Sequence, residues 1–124
     1  MKDDLSKENL LFQKVYAAVR LVPKGKVATY SQIASLCGNC NLRRYVGNAL
    51  HKNTDGKLTP CHRIVNAKGM CASEFAFGGS DIQKSRLLSE GVEFLGEKVN
   101  LEKCLINEDD FEEMSVSFHK IFDE

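Results

Sequence analysis

The sequence predicts a mainly α domain with short β segments, organised around a helix-turn-helix. Three observations predict it. Apolar residues recur at helical spacing near the start, two short helical patterns follow with a glycine-containing turn between them, and the extended stretches are only a few residues long. At 124 residues the chain holds one ordinary core and is too short for two.

Leu11, Val15, Val19 and Val22 recur at spacings of four, four and three, with Phe12 and Tyr16 beside them. That is one apolar face of a helix from about Glu8 to Leu21, which Pro23 and Gly25 end. Lys26-Val27-Ala28 reads as a short extended stretch. Thr29-Tyr30-Ser31-Gln32 then fits a capping box: Thr29 caps the first exposed amides and Gln32 reaches back to it. The helix so opened turns Ile33, Ala34 and Leu36 inward, and Gly38 stops it. A second helix, from about Leu42 to Lys52, buries Val46, Ala49 and Leu50. It carries Arg43 and Arg44 in its first turn, where cations oppose the helix dipole, so stability does not account for them. An anionic partner does.

Residues 53–57 form a loop, and Leu58 to Val65 ends in a short extended run. Gly78-Gly79 precedes a helix from about Ser80 to Glu90, with Ile82, Leu87 and Leu88 expected inward and Gly91 as its cap. From Lys98 the pattern weakens. Phe111, Met114, Val116, Phe118 and Ile121 lie among seven acids (Glu108, Asp109, Asp110, Glu112, Glu113, Asp123 and Glu124), which predicts an amphipathic or partly ordered acidic extension. The expected division is a working domain over residues 1–100 and an acidic C-terminal extension over 101–124.

Seventeen Lys and Arg against seventeen Asp and Glu give a net charge of zero, but the zero is a cancellation. Residues 1–68 carry 12 − 4 = +8 and residues 69–124 carry 5 − 13 = −8. A basic working surface followed by an acidic segment is the natural reading. No apolar run approaches the roughly 20 residues of a membrane span, and the polar start lacks the apolar stretch of a signal peptide. Five cysteines, an odd number without such a signal, point to a reducing compartment, cytoplasmic or nuclear. Cys37-Gly38-Asn39-Cys40 is a C-x-x-C pattern. It falls in the turn of the helix-turn-helix rather than after a strand, and no second ligand pair exists for zinc, so it reads as coincidental. Cys71, Cys104, His51 and His119 read as structural.

The sharpest local feature is Pro60-Cys61-His62-Arg63. A thiol beside His and Arg can have its pKa lowered by neighbouring positive charge, and Pro60 fixes the backbone that aims the sulfur. Alone, Cys61-His62-Arg63 reads better as a buried cysteine beside a surface histidine.

Its context changes that. Phe12, Val15-Tyr16, Val19 and Val22-Pro23-Lys24-Gly25-Lys26-Val27 come first, followed by Thr29-Tyr30 and Arg44-Tyr45-Val46-Gly47-Asn48-Ala49-Leu50. Asn53, Pro60 to Val65, Gly78-Gly79 and Lys84…Leu87-Leu88…Glu90-Gly91 complete the series in the same order. Over roughly residues 10–95 this resembles the C-terminal, active domain of the O6-alkylguanine-DNA alkyltransferases. The resemblance implies a winged helix-turn-helix-like DNA-binding alkyltransferase domain that acts once, as a monomer, on double-stranded DNA containing O6-alkylguanine, with no cofactor, no metal and no membrane.

The roles it implies fall on named positions. Cys61 accepts the alkyl group, His62 takes the thiol proton through a water, and Glu90 orients His62. Asn53 braces the turn that holds the cysteine. Tyr30 crowds the target phosphate and hydrogen-bonds the flipped guanine, and Arg44 fills the stack the base has left. Thr29, Ser31, Arg43, Asn48 and Lys52 join Tyr30 and Arg44 on the DNA side. Leu50, Ile64, Phe77 and Gly78 wall the base pocket, where carbonyls at Cys61 and Ile64 accept from the guanine amino group. The chain departs from the family pattern in Thr54, where proline is common, in one extra residue between Arg63 and Gly78, which alters the 71–79 segment, and in another between Gly79 and Lys84.

Two rival functions stay open on sequence. Alkyltransferase-like damage sensors flip and bind alkylguanine without accepting the alkyl group, but usually carry tryptophan in place of the cysteine. A plain helix-turn-helix binding module with an inert Cys61 is the other.

Overall fold

In a computed structural model of the chain, residues 2–72 and 75–122 are described, with side chains from Leu10 onward. Ser73 and Glu74 of the 71–79 segment, and Asp123 and Glu124 of the acidic run, lie outside the described residues.

Helix α1 (Lys2–Arg20) starts well before the apolar pattern requires. Its face of Val15, Ala18 and Val19, continued by Val22, is buried as the spacing predicts. Strand β1 (Ala28–Thr29) leads into α2 (Tyr30–Leu36), and the capping box is present in full. Gln32 N donates to Thr29 Oγ1 at 3.1 Å and Thr29 N donates to Gln32 Oε1 at 2.9 Å. A turn of 3-10 helix (Cys40–Leu42), capped by Asn39, joins α2 to α3 (Arg43–His51). Tyr16 Oη donates to Ala49 O at 2.8 Å and so ties α1 to α3.

β1 pairs in parallel with β2 (Ile64–Val65), Ala28 opposite Ile64 and Thr29 opposite Val65. This pairing sets the first turn of α2 beside the strand that leaves the Cys61 turn. The fold is mainly helical with short strands, as the sequence predicts. Helix α4 (Ser80–Ser89) follows, then an antiparallel hairpin of β3 (Phe94–Leu95) and β4 (Lys98–Val99) that the sequence did not signal. Gly69 has φ +86°, and a Cβ there would meet the Val99 carbonyl oxygen at 3.0 Å, so the turn after β2 needs glycine.

Two expectations are corrected. On α4 only Leu87 of the three predicted apolar residues is buried; Ile82 and Leu88 are exposed, and the second inward side chain is Gln83. Gln83 bonds to the Cys61 turn and Leu87, one turn on, packs in the smaller core with Val27 and Val65, which leaves 82 and 88 on the flanks of the helix. The second correction concerns the C-terminal segment, which is part of the fold. Val27 N donates to Cys104 O at 2.8 Å, and Ile106 N to Val27 O at 2.9 Å, so the chain after α5 (Leu101–Cys104) is clamped to the segment before β1. Helix α6 (Glu108–Phe122) then lays Met114 and Phe118 into the main core with Val15, Val19, Ile33, Val46 and Ala49. Each large apolar side chain buried there contributes about 1.5–3 kcal/mol. Val116 and Ile121, grouped with them on composition, are exposed. A smaller core of Val27, Val65, Leu87, Val92, Val99 and Cys104 joins α4 to the strands.

Candidate active site

Cys61 opens a turn of 3-10 helix (Cys61–Arg63) and is 3% exposed. The backbone before it is held on every side. Cys61 N donates to Thr59 O at 2.8 Å, Arg63 N to Pro60 O at 3.0 Å, and Arg20 Nε to Thr59 Oγ1 at 3.0 Å. Buried Asn53 donates from Nδ2 to Thr59 O at 2.9 Å and accepts from Asp55 N at 3.1 Å. A buried amide with both ends bonded fixes the loop that presents the cysteine.

Cys61 lies in the wall of a cavity of about 340 Å³, at the small end of the range for ligand pockets. The first turn of α2 gives Tyr30, α3 gives Gly47, Asn48, Leu50 and His51, and Lys52 follows. Ile64, Ala72, Phe75, Ala76 and Gln83 complete the lining. Tyr30, Asn48, Leu50, Lys52, Cys61 and Ile64, chosen on sequence, are thus brought together. Phe77 and Gly78 are not. The turn that closes with Gly78 N on Phe75 O at 3.2 Å buries Phe75 in the cavity wall and leaves Phe77 half-buried against it, with ring centroids 5.7 Å apart. There Arg86 lies over both rings, at 5.5 Å from Phe75 and 5.1 Å from Phe77. The pocket wall is therefore Phe75 and Ala76.

His62, Arg63 and Glu90 face a second, open depression together with Pro60, Gly56 and Arg86. His62 Nε2 stands 3.0 Å from Glu90 Oε1. The approach is close but off-axis, since neither ring nitrogen of His62 completes a directed hydrogen bond among the described residues. Arg63 grips the same carboxylate with both arms, Nε to Oε1 at 3.0 Å and Nη2 to Oε2 at 2.7 Å, and donates from Nη1 to Val22 O at 2.8 Å.

These environments set the charges. Burial pushes the Cys61 thiol above its ordinary pKa, against the opposing pull of the Asn53 amide and the Arg86 cation. The lowered pKa expected beside His62 and Arg63 is therefore corrected: desolvation outweighs the neighbouring positive charge, and the resting group is a thiol. Burial, the largest cause, lowers His62 together with the Arg63 and Arg86 cations against the raising pull of Glu90, so the imidazole is neutral at pH 7 and free to accept a proton. Burial alone raises the Glu90 carboxyl, but its bonds from Arg63 and its close contact with His62 together hold it below the usual range. Tyr30 is raised by burial and by the nearby thiols, so its hydroxyl keeps its proton.

The remaining predicted residues lie along α2 and α3. Thr29 spends its hydroxyl on the cap and Ser31 is half-buried, whereas Arg43 and Arg44 are exposed. Lys52 places its ammonium 5.4 Å from the Phe12 ring. Two polar residues escaped the sequence reading. His51, read as structural, lines the cavity. Its spacing of three from Asn48 and four from Gly47 placed it on their face of α3, and that was the available signal. Gln83 is 1% exposed and bonds into the Cys61 turn; a polar residue one turn before buried Leu87 was its only trace. Cys37 is half-buried, with its thiol pushed up to about 11 by burial, and Cys40 is exposed. No group of three or more possible metal ligands gathers among the described residues.

Comparison with known proteins places the chain in a family. The family described as "6-O-methylguanine DNA methyltransferase, DNA binding domain" matches residues 11–92. The chain belongs to the O6-alkylguanine-DNA alkyltransferase family. Its relatives are of two kinds. Alkyltransferase-like protein 1 of Schizosaccharomyces pombe is 40% identical over 95 residues, covering 73% of this chain and 88% of that one. The DNA base-flipping protein of Escherichia coli is 36% identical over 93 residues, covering 73% and 69%. The methylated-DNA–protein-cysteine methyltransferase of Methanosarcina acetivorans is 36% identical over 88 residues, covering 70% and 55%. Among solved structures, the S. pombe alkyltransferase-like protein in complex with DNA containing O6-carboxymethylguanine aligns with a TM-score of 0.69 at 33% identity. That alignment covers 80% of this chain and 96% of the other. No helix among the described residues of this alkyltransferase-family chain is long and apolar enough to cross a membrane.

Proposed function

We propose that this protein repairs O6-alkylguanine in duplex DNA by moving the alkyl group irreversibly to its own Cys61. One observation carries the reading: a buried thiol lines a cavity together with Tyr30, and the residue next to it in the chain is a neutral imidazole in contact with a carboxylate.

A base in a duplex cannot reach a buried sulfur, so the damaged nucleotide is extruded into the cavity. Exposed Arg44, at the start of α3, fills the vacated stack. Arg43, Lys52, Asn48, Ser31 and the amides at the Thr29 cap hold the backbone, within the half of the chain whose balance is +8. In the cavity the Cys61 thiol gives its proton to His62 through a water. Sulfur bonds the alkyl carbon as the carbon–O6 bond breaks, and the departing guanine takes up a proton, helped by the Tyr30 hydroxyl. The net change is thiol plus alkylguanine to thioether plus guanine. Asn53 and Glu90 hold Cys61 and His62 in place. No redox partner or metal is needed for this balance.

A second reading is a sensor that flips and binds alkylguanine without transfer. The alkyltransferase-like and base-flipping relatives favour it, as does a thiol that rests protonated. Intact mass after incubation with O6-methylguanine duplex decides between them. The expected result is one methyl group per chain, abolished by Cys61→Ala. Tight binding with no mass gain replaces transfer by the sensor reading, and neither binding nor gain rejects both.

A further inference from the structure

Gln83 has no part in the mechanism above, yet its side chain is bonded at every polar atom at the edge of the cavity. It is 1% exposed, and all three of its polar contacts join pocket segments. Nε2 donates to Ile64 O at 2.8 Å and to His62 O at 3.1 Å, using both amide hydrogens. Oε1 accepts from Ala72 N at 2.8 Å. Ile64, Ala72 and Gln83 all line the same cavity. One carboxamide therefore locks the strand leaving the Cys61 turn to the wall across from it. Its place on α4 is fixed in turn, because Gln83 N donates to Gly79 O at 3.1 Å.

This lock has a chemical consequence. An O6-alkylated guanine has lost its N1 hydrogen, so the 2-amino group is the one donor left on its pairing edge. The pocket must meet that donor with an acceptor, and the backbone carbonyls leaving the Cys61 turn are acceptors held in a fixed direction. A carbonyl oxygen offers two lone pairs; at Ile64 one is taken by Gln83 and the second is left for a ligand. Aromatic and apolar lining such as Phe75 and Leu50 fits any purine and does not distinguish guanine.

We propose that Gln83 is the positioning residue that gives this pocket its preference for 2-aminopurines, by holding the Ile64 carbonyl toward the guanine amino group. The proposal rests on the pocket being a guanine site and is independent of whether the alkyl group is transferred.

The test measures equilibrium binding in full-length protein carrying Cys61→Ser, which cannot alkylate. Two duplexes are compared, one with O6-methylguanine and one with O6-methylhypoxanthine, which lacks the amino group. The Cys61→Ser parent is expected to prefer guanine by about fivefold, the scale of one net hydrogen bond. Adding Gln83→Met, similar in length but unable to bond, brings the ratio close to one. Gln83→Asn, one methylene too short to span the three partners, does the same. A side chain needed only for stability weakens both duplexes alike and leaves their ratio intact, so an unchanged ratio in either variant overturns the proposal. A parent without guanine preference also overturns it. The mass measurement on Cys61 is read separately, so failure of transfer leaves this outcome standing.

Discussion

Glu90 serves two partners with one carboxylate: its Oε1 is 3.0 Å from His62 Nε2, while both its oxygens bind Arg63. The carboxylate thus contacts the imidazole and holds the Arg63 guanidinium, whose Nη1 donates to Val22 O just beyond the end of α1. The contact with His62 and the anchoring of the turn are joined in one group.

Changing that group therefore affects both. Glu90→Gln leaves Arg63 half-buried without its counter-charge and is expected to destabilise the fold by about 3 kcal/mol. It also removes the group that orients His62, so single-turnover transfer slows at least about tenfold, within the range of a general base. Thermal unfolding and single-turnover kinetics on O6-methylguanine duplex check the pair. A full loss of stability with an unchanged rate separates the two roles and removes Glu90 from the chemistry.

The pH dependence follows from burial. His62 is lowered in the fold, so below about pH 6.5 the unfolded chain takes up its proton first and stability falls as pH drops. Glu90 is lowered too, and its contribution is lost as pH falls through the carboxylate range, so the two act in the same direction. Cys61 is raised, which makes its contribution fully present below the ordinary thiol pKa and lost as pH rises through the raised value. Denaturant midpoints between about pH 7 and about pH 5 should decline. Alkylation of Cys61 by iodoacetamide should show its inflection above the ordinary thiol value. An inflection below it refutes the assignment of a resting thiol.

Arg44 is exposed on the first turn of α3. Arg44→Ala should leave stability within about 0.5 kcal/mol of the parent. Reaction with an O6-alkylguanine duplex should fall far more than reaction with the free modified base, because only the duplex needs its stack refilled. Equal losses on the two substrates exclude the intercalating role.

Phe118 tests the C-terminal helix. Its ring is 2% exposed in the main core, and Phe118→Ala is expected to cost about 3–5 kcal/mol. If residues 101–124 were only an acidic appendage, unfolding midpoints would barely move. Removing residues 106–124 is for the same reason a poor way to ask whether the acids of α6 oppose DNA. Neutralising exposed Glu112 and Glu113 leaves the core intact and asks the question directly.

The sequence by itself determined the elements with local causes. The capping box at Thr29 and Gln32, the stop at Gly38 and the buried face of α3 depend on residues within a few positions of each other, and all formed as written. The order of Tyr30, Arg44, Asn53, Cys61 and Glu90 was equally legible, because family membership is written in spacing. Tertiary structure decided what depends on residues far apart in the chain. Cys61 keeps its proton because of what encloses it, although its neighbours His62 and Arg63 suggest otherwise. Phe75 displaced Phe77 from the pocket because the turn before α4 chose which ring points inward. Gln83 became a pocket residue only when α4 settled on the Cys61 turn. The acidic segment became core because Val27 captured its entry and Lys26 its first turn, at 2.6 Å from Asp110. Desolvation and packing act between elements, and their outcome is fixed only once those elements have docked.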